Sequence, residues 1–178
     1  MAKLKILGMA GALRAGSTNK LLMREAARLL GDAELTEGDL NLPLYDGDLE
    51  DREGVPASVQ TLADQITAAD AVIISTPEYN KGITGVMKNA LDWISRVEGN
   101  PWSGKPVAVM SAAAGRAGGE RSQLMLRECI LPFAPKLVFG PEIAVHASYE
   151  AFDDNGQLKG ELYAKNLGKL MDKLRAAI

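Results

Sequence analysis

Three short segments carry the residue types that a small anionic ligand needs. Gly8-Met9-Ala10-Gly11-Ala12-Leu13-Arg14-Ala15-Gly16-Ser17-Thr18-Asn19 joins an apolar run to a helical pattern. Its glycines let the backbone approach a ligand, Ser17 and Thr18 bring hydroxyl donors, and Arg14 adds a charge-assisted one. The helix that follows offers unpaired N–H groups and the positive end of its dipole, which together suit a terminal phosphate. Pro77-Glu78-Tyr79-Asn80 closes the apolar run 71–76 just before another helical pattern. A parallel sheet binds its ligand beyond the carboxyl ends of its strands, so polar and aromatic groups on such a loop mark a candidate site. The third segment, 111–119, begins with Ser111 and Ala112, is rich in glycine and follows a further apolar run.

Two nucleotide motifs are excluded by inspection. Gly11-x4-Gly16 starts like a triphosphate loop, but Ser17 stands where that loop requires lysine, and the contact to the outer phosphates is missing. The dinucleotide signature G-x-G-x-x-G is absent from the same turn, which leaves a monophosphate as the favoured ligand. His146 is the only histidine and Cys129 the only cysteine, so neither a histidine cluster nor a disulfide can form within the chain. No metal site is expected. Cys129 lies among Leu126, Ile130 and Leu131 and reads as a small buried apolar residue. Asp153-Asp154-Asn155-Gly156 lacks the ligand spacing of a calcium loop and reads as a turn.

The elements that must position these segments alternate. Strand patterns fall at 4–9, 33–40, 71–75 and 106–111, with a broken fifth strand over 136–145; helical patterns fall at 19–30, 56–69, 84–97, 120–131 and 158–177. Segment 41–55, with Pro43, Gly47, Gly54 and the acidic run 46–53, reads as a surface excursion. Five strands and five helices in this order predict a doubly wound parallel α/β sheet, strand order 2-1-3-4-5, with helices on both faces. In that order the loops after strands one, three and four meet at one crevice, and those are the three loops of unusual composition. Gly115, Gly118 and Gly119 serve either a tight loop or a ligand contact.

Bulk properties narrow the partners. With 178 residues, 47% of them hydrophobic and 24% charged, the chain suits one domain spanning 1–178. A formal charge of -3 with both signs interspersed gives no basic stripe for nucleic acid and no polybasic membrane anchor, so a small soluble molecule is the expected partner. The sequence shows no export or membrane-spanning segment, and the lone cysteine fits a reducing cytoplasm. Met87, Trp93, Ile94 and Trp102 lie in or near the helix after the tetrapeptide. Any apolar face left there after core packing would mark a partner surface.

Taken together, Gly11-Ala12-Leu13-Arg14-x-x-Ser17-x-Asn19, Pro77-Glu78-Tyr79-Asn80, Gly85, Lys88-Asn89-Ala90-Leu91-Asp92-Trp93 and Gly118-Gly119-x-Arg121 resemble the NAD(P)H-dependent FMN reductase family, flavodoxin-like enzymes that include quinone and chromate reductases. The resemblance runs from the first strand to the last helix. It implies FMN as cofactor, with the phosphate held by Ala12, Arg14, Ser17, Thr18 and Asn19. The flavin ring would rest on Pro77, Glu78, Tyr79 and Asn80 and be bordered by Ser111 and Ala112. Three positions depart from the family pattern: Ala12 and Ala112 replace small hydroxyl residues, and Thr84 replaces a proline and is placed to cap a helix. The resemblance further implies that no side chain is catalytic, the flavin carrying hydride from NADPH or NADH to quinones, chromate or ferric complexes by a ping-pong cycle. A reductase that releases reduced FMN, and a flavodoxin-like carrier that uses no nicotinamide, are the alternatives. The family precedent is a homodimer or homotetramer, with Arg121 at the interface.

Overall fold

Every residue of the central run Ala71–Ser75 is buried, because apolar layers cover both faces of the strand it forms. The computed structural model describes residues 3–178; Met1 and Ala2, which lead into the first strand in the sequence, lie outside the described residues. Its strands are β1 (Leu4–Ala10), β2 (Ala33–Gly38), β3 (Ala71–Ser75), β4 (Pro106–Ala112), β5 (Lys136–Leu137) and β6 (Ala144–Val145). They form a parallel sheet ordered β2-β1-β3-β4-β5, with β6 also paired to β4. This is the expected flavodoxin-like order. The broken fifth strand is two short strands that share one neighbour: β5 pairs with the start of β4, and β6 pairs Ala144 with Ser111 and Val145 with Ala112 at its end.

The helices are α1 (Thr18–Leu30), α2 (Gly47–Glu53), α3 (Ala57–Ala68), α4 (Gly85–Ile94), α5 (Glu120–Ile130) and α6 (Glu161–Ala177). Alternation along the strands divides the apolar side chains between two cores. Leu7, Met9, Val72, Ile74, Val107 and Val109 pack with Val59, Leu62 and Ile66 of α3, Met87 and Leu91 of α4, and Leu126 of α5. Ile6, Ala71, Ile73, Ala108 and Met110 pack with Leu22, Met23 and Ala26 of α1 and Leu167, Leu170 and Leu174 of α6. Burying one such leucine or isoleucine contributes about 1.5–3 kcal/mol, so both helix layers are needed to fix the sheet between them. Among the described residues, no helix is long and apolar enough to cross a membrane.

Two expectations are corrected. The acidic run 46–53 is a helix and not an irregular excursion, which makes six α-helices among the described residues. Asp46 caps α2 by accepting from the Asp48 N–H at 3.0 Å, Asp48 and Glu50 sit in the first turn, Arg52 sits in the last, and Gly54 ends the helix at φ 75. That arrangement places negative charge at the positive end of the helix dipole. The second correction concerns Met87, Trp93, Ile94 and Trp102, which are at most 1% exposed and belong to the core. The apolar side chains left outside are others, including Tyr79, Leu124 and Met125.

The family-like segment Lys88 to Trp93 acquires a structural meaning here. Asn89 Nδ2 and Trp93 Nε1 both donate to the Pro43 carbonyl at 2.8 Å, and the Tyr45 N–H donates back to Asn89 Oδ1 at 2.8 Å. Tyr45 also meets Trp93 edge-on, with ring centroids 5.0 Å apart. Helix α4 thereby pins the segment that leads into α2.

Candidate functional site

A cleft of about 320 Å³ opens at the carboxyl edge of the sheet, walled by the loops after β1, β3 and β4. The first wall is the turn 12–19. Ser17 is the N-cap of α1: its Oγ accepts from the Asn19 N–H at 3.2 Å, which leaves the hydroxyl hydrogen free to donate outward. Among the described residues, no protein acceptor takes the amides of Leu13, Arg14, Ala15, Gly16 or Thr18. Arg14 is exposed at the rim, with no ion-pair partner among the described residues. Ala12 is different. Its N–H already donates to the Ala10 carbonyl at 2.7 Å, so it has neither a hydroxyl nor a free amide to offer.

The second wall is built by a tight turn. Tyr79 and Gly82 exchange two main-chain hydrogen bonds of 3.1 Å, with Asn80 and Lys81 at φ 50 and 66 between them. Two positive φ values define a type I′ turn, and asparagine tolerates that conformation better than most residues. Asn80 thus serves the turn and lies outside the cleft lining, while Pro77, Glu78 and Tyr79 lie in it. Glu78 is held by the Arg121 N–H, which donates to its Oε2 at 3.3 Å. The expected helix cap at Thr84 is present, with Oγ1 accepting from the Met87 N–H at 3.3 Å.

The third wall comes from the end of β4 and the loop beyond it, and here the expectation shifts by two residues. Ser111 is fully buried, and its hydroxyl donates to the Gly118 carbonyl and accepts from Gln123 Nε2. Ala112 lines the cleft, but both its main-chain groups are paired with the Asn19 carboxamide. The Ala113 N–H is taken by the Val145 carbonyl at 2.9 Å. Ala114 is the first residue of this loop that lines the cleft with an unclaimed amide. Gly118 and Gly119 act in the loop itself: a Cβ on Gly118 would lie 2.3 Å from the Ala144 carbonyl oxygen, and one on Gly119 would lie 2.9 Å from the Ser111 Cβ.

A fourth wall was not foreseen. Ser148 and Tyr149 follow β6, which emerges at the same edge because it pairs with the last residues of β4. Thr18 Oγ1 donates to Ser148 Oγ at 3.0 Å, so the Ser148 hydroxyl hydrogen is left for the cleft. The signal was available in principle, since the loop after a fifth parallel strand also lies beyond the carboxyl edge. Cys129 lies away from the cleft, packed half-buried against the core, and burial pushes its thiol up. His146 pairs through Nδ1 with the Tyr163 hydroxyl at 2.6 Å and is not part of the lining.

A second cleft of about 350 Å³ lies on the other side of the first loop, between α1 and the end of β2. Its charged groups are already engaged. Glu37 is bridged by Arg24 through two bonds of 2.6 and 3.0 Å, Asp39 accepts from the Asn41 N–H, and Lys20 donates to the Leu13 carbonyl. The smaller cleft gathers more unclaimed donors, the amides of Arg14, Gly16 and Thr18 with the Ser17 and Ser148 hydroxyls, whereas the larger one is lined by the Leu13 amide alone of that turn's free amides.

Comparison with known proteins follows the same line. A family model described as NADPH-dependent FMN reductase matches residues 4–150. The chain belongs to the NADPH-dependent FMN reductase family. An NAD(P)H-dependent FMN reductase of Pseudomonas aeruginosa is 40% identical over 157 residues, 87% of this chain and 84% of that protein. A quinone reductase of Escherichia coli K12 is 40% identical over 139 residues, 76% of this chain and 73% of that protein. The solved structure of FerB, a flavoenzyme NAD(P)H:(acceptor) oxidoreductase from Paracoccus denitrificans, matches with TM-score 0.86 and 33% identity over 98% of each chain. As an FMN reductase, this chain is an FMN- and NAD(P)H-dependent oxidoreductase.

The residues present fit FMN. The unclaimed amides of Arg14, Gly16 and Thr18, the Ser17 and Ser148 hydroxyls and the Arg14 guanidinium form a donor-rich end suited to a dianionic phosphate. At the other end Pro77, Tyr79 and Ala112 to Ala114 give a less polar surface of the kind a flat ring would rest on.

Proposed function

We propose that this protein takes two electrons from NADPH or NADH and delivers them through bound FMN to quinones and similar small acceptors, with chromate and ferric complexes in the same class. The observation that carries the reading is a single cleft with unpaired phosphate donors at one end and an apolar shelf at the other. The two relatives' roles as FMN reductase and quinone reductase support it.

When bound, FMN supplies the chemistry of accepting and returning hydride, which no side chain of this cleft offers. The chain's own residues divide the remaining work. Arg14, Gly16, Ser17, Thr18 and Ser148 hold the phosphate and so fix the ligand along the cleft. Glu78 and Ala114 line the ring end with amides that no other described residue claims, and negative charge there is stabilised best by donors already in place. Tyr79 is 57% exposed and forms the rim past which a flat donor and then a flat acceptor must enter the same space. Sharing that space predicts ping-pong kinetics.

The test is the visible spectrum of the purified protein before and after anaerobic NADPH. A flavin band that bleaches with NADPH and returns with a quinone supports the reading; absence of flavin after incubation with FMN, or a band indifferent to both nicotinamides, overturns it. Release of reduced FMN to another protein is a second reading favoured by one observation, the loss of both polar contacts at Ala12. Turnover with free flavin in place of quinone separates the two.

The same reading includes a cytoplasmic protein assembled as a homodimer or homotetramer. Support for assembly lies in Tyr79, Leu124 and Met125, three exposed apolar side chains on or beside the turn and helix next to the cleft.

A further inference from the structure

Asn19, the second residue of α1, is only 2% exposed, and its carboxamide is almost wholly consumed by the protein. Nδ2 donates to the Ala112 carbonyl at 2.8 Å, and Oδ1 accepts from the Ala112 N–H at 3.0 Å and from the Ser75 hydroxyl at 2.8 Å. Pairing with both main-chain groups of one residue settles which end of the amide is oxygen, since the N–H must face Oδ1 and the carbonyl must face Nδ2. Both lone-pair positions of Oδ1 are filled.

These bonds join pieces that the sheet alone does not join. Ser75 ends β3, Ala112 ends β4, and Asn19 sits on the helix whose first turn carries the phosphate donors. The main chain ties β1, β3 and β4 to one another. The start of α1, by contrast, is fastened to the ends of β3 and β4 through the Asn19 side chain, helped at the rim by the bond from Thr18 to Ser148. We propose that Asn19 is a positioning residue that sets the spacing between the phosphate end and the ring end of the cleft, acting through Ser75 and Ala112 and not as a phosphate ligand. The inference rests on the FMN reading of the cleft, but the geometry of the brace can be tested without ligand.

The experiment compares wild type with Asn19→Ala and Ser75→Ala by residue-resolved amide hydrogen exchange in the ligand-free protein, then by titration with FMN and with riboflavin, which lacks the phosphate. Ser75→Ala is the sharper variant, because its side chain bonds only to Asn19. It should speed exchange at Ala112 and, across the cleft, at Lys20 and Leu21 by about threefold, with Asn19→Ala giving about tenfold at the same amides. Both variants should weaken riboflavin as well as FMN and displace the visible absorption maximum of the bound flavin. Weakening of FMN with riboflavin unchanged would assign Asn19 to the phosphate and overturn the proposal, as would faster exchange at Ala112 with Lys20 and Leu21 unmoved in Ser75→Ala. A uniform rise across the sheet would reduce Asn19 to a general stabilising residue, with the same result. If Asn19→Ala does not fold, Ser75→Ala alone decides. Wild-type protein that binds neither flavin removes the FMN reading while leaving the exchange test of the brace intact.

Discussion

Arg14 and Ser17 stand next to the same proposed phosphate but do different work, and substitution separates them. Arg14 is exposed and bonded to nothing among the described residues, so Arg14→Ala should leave the melting temperature unchanged and weaken FMN by about 1.5 kcal/mol, the value of a charge-assisted bond at a solvent-facing site. Ser17 caps α1, so Ser17→Ala should weaken FMN and also lower folding stability by about 1 kcal/mol. Fluorescence titration and urea unfolding read the two effects, and equal loss of stability in both variants would sink the distinction. Gly118 makes a third case. At φ 60, with a Cβ directed at the Ala144 carbonyl, Gly118→Ala should cost about 2–4 kcal/mol of stability in urea unfolding from backbone strain and overpacking. Part of the candidate site was legible at this scale because a phosphate would demand recognisable residue types, and Arg14, Ser17 and Thr18, which have them, line the cleft. Asn80 and Ser111 do not. Their side-chain types suit a ligand equally well, but one supplies a positive φ and the other is consumed by Gly118 and Gln123, and neither fact can be read before the chain is folded.

Among the elements, the run 46–53 hid a helix because its cues are polar. A helix without a buried residue has no apolar period to detect, and only the cap at Asp46, the charge order and Gly54 betray α2. The Lys88 to Trp93 segment, which carried the family resemblance, anchors a neighbouring segment through Asn89 and Trp93. Asn89→Ala should therefore loosen residues 43–45, seen as faster amide exchange at Tyr45, and cost about 1–3 kcal/mol through the unpaired groups it leaves, while FMN affinity stays within twofold of wild type. A large loss of FMN affinity without loss of stability would contradict this structural role for Asn89. The contact between α1 and β2 carries a pH dependence. Hydrogen bonds from Arg24 hold the Glu37 carboxyl below its usual range. A carboxyl depressed in the folded state stabilises the protein above its unfolded pKa and ceases to do so as pH falls through the folded value. The stability difference between wild type and Arg24→Met should thus be constant above the usual carboxylate range, shrink as pH falls below it, and stay below roughly 1 kcal/mol because both groups are partly exposed. Urea midpoints across that range measure it, and a difference that grew on acidification would contradict the assignment.

At the scale of the molecule, strand order was legible because each βα unit announces itself twice, by a run of period two or full burial and by an amphipathic helix, and few topologies satisfy both with short connections. Surface was not. Burial of Trp93 and Trp102 against exposure of Leu124 depends on which helix faces meet, and α5 carries Leu126 inward while Leu124 and Met125 remain 59% and 43% exposed. Met125 is tied to the turn that carries Tyr79: the Ile83 N–H donates to Met125 Sδ at 3.3 Å, and a Cβ on Gly82 would lie 2.9 Å from the same sulfur, so the turn from 79 to 82 lies against α5. An apolar patch beside a ligand cleft is where a second copy would remove most surface from water, and a stable pair needs about 800 Å² from each partner. Sedimentation velocity should accordingly show a dimer or larger at micromolar protein, and Leu124→Glu, which puts a charge at an exposed position, should shift the boundary toward monomer without lowering the melting point of the isolated subunit. Hydrophobic association also persists in high salt, where surface ion pairs are screened, so the assembly should survive 1 M sodium chloride, about a 3 Å screening length. A wild-type protein that sediments as a monomer at every concentration would overturn the assignment of the patch to assembly.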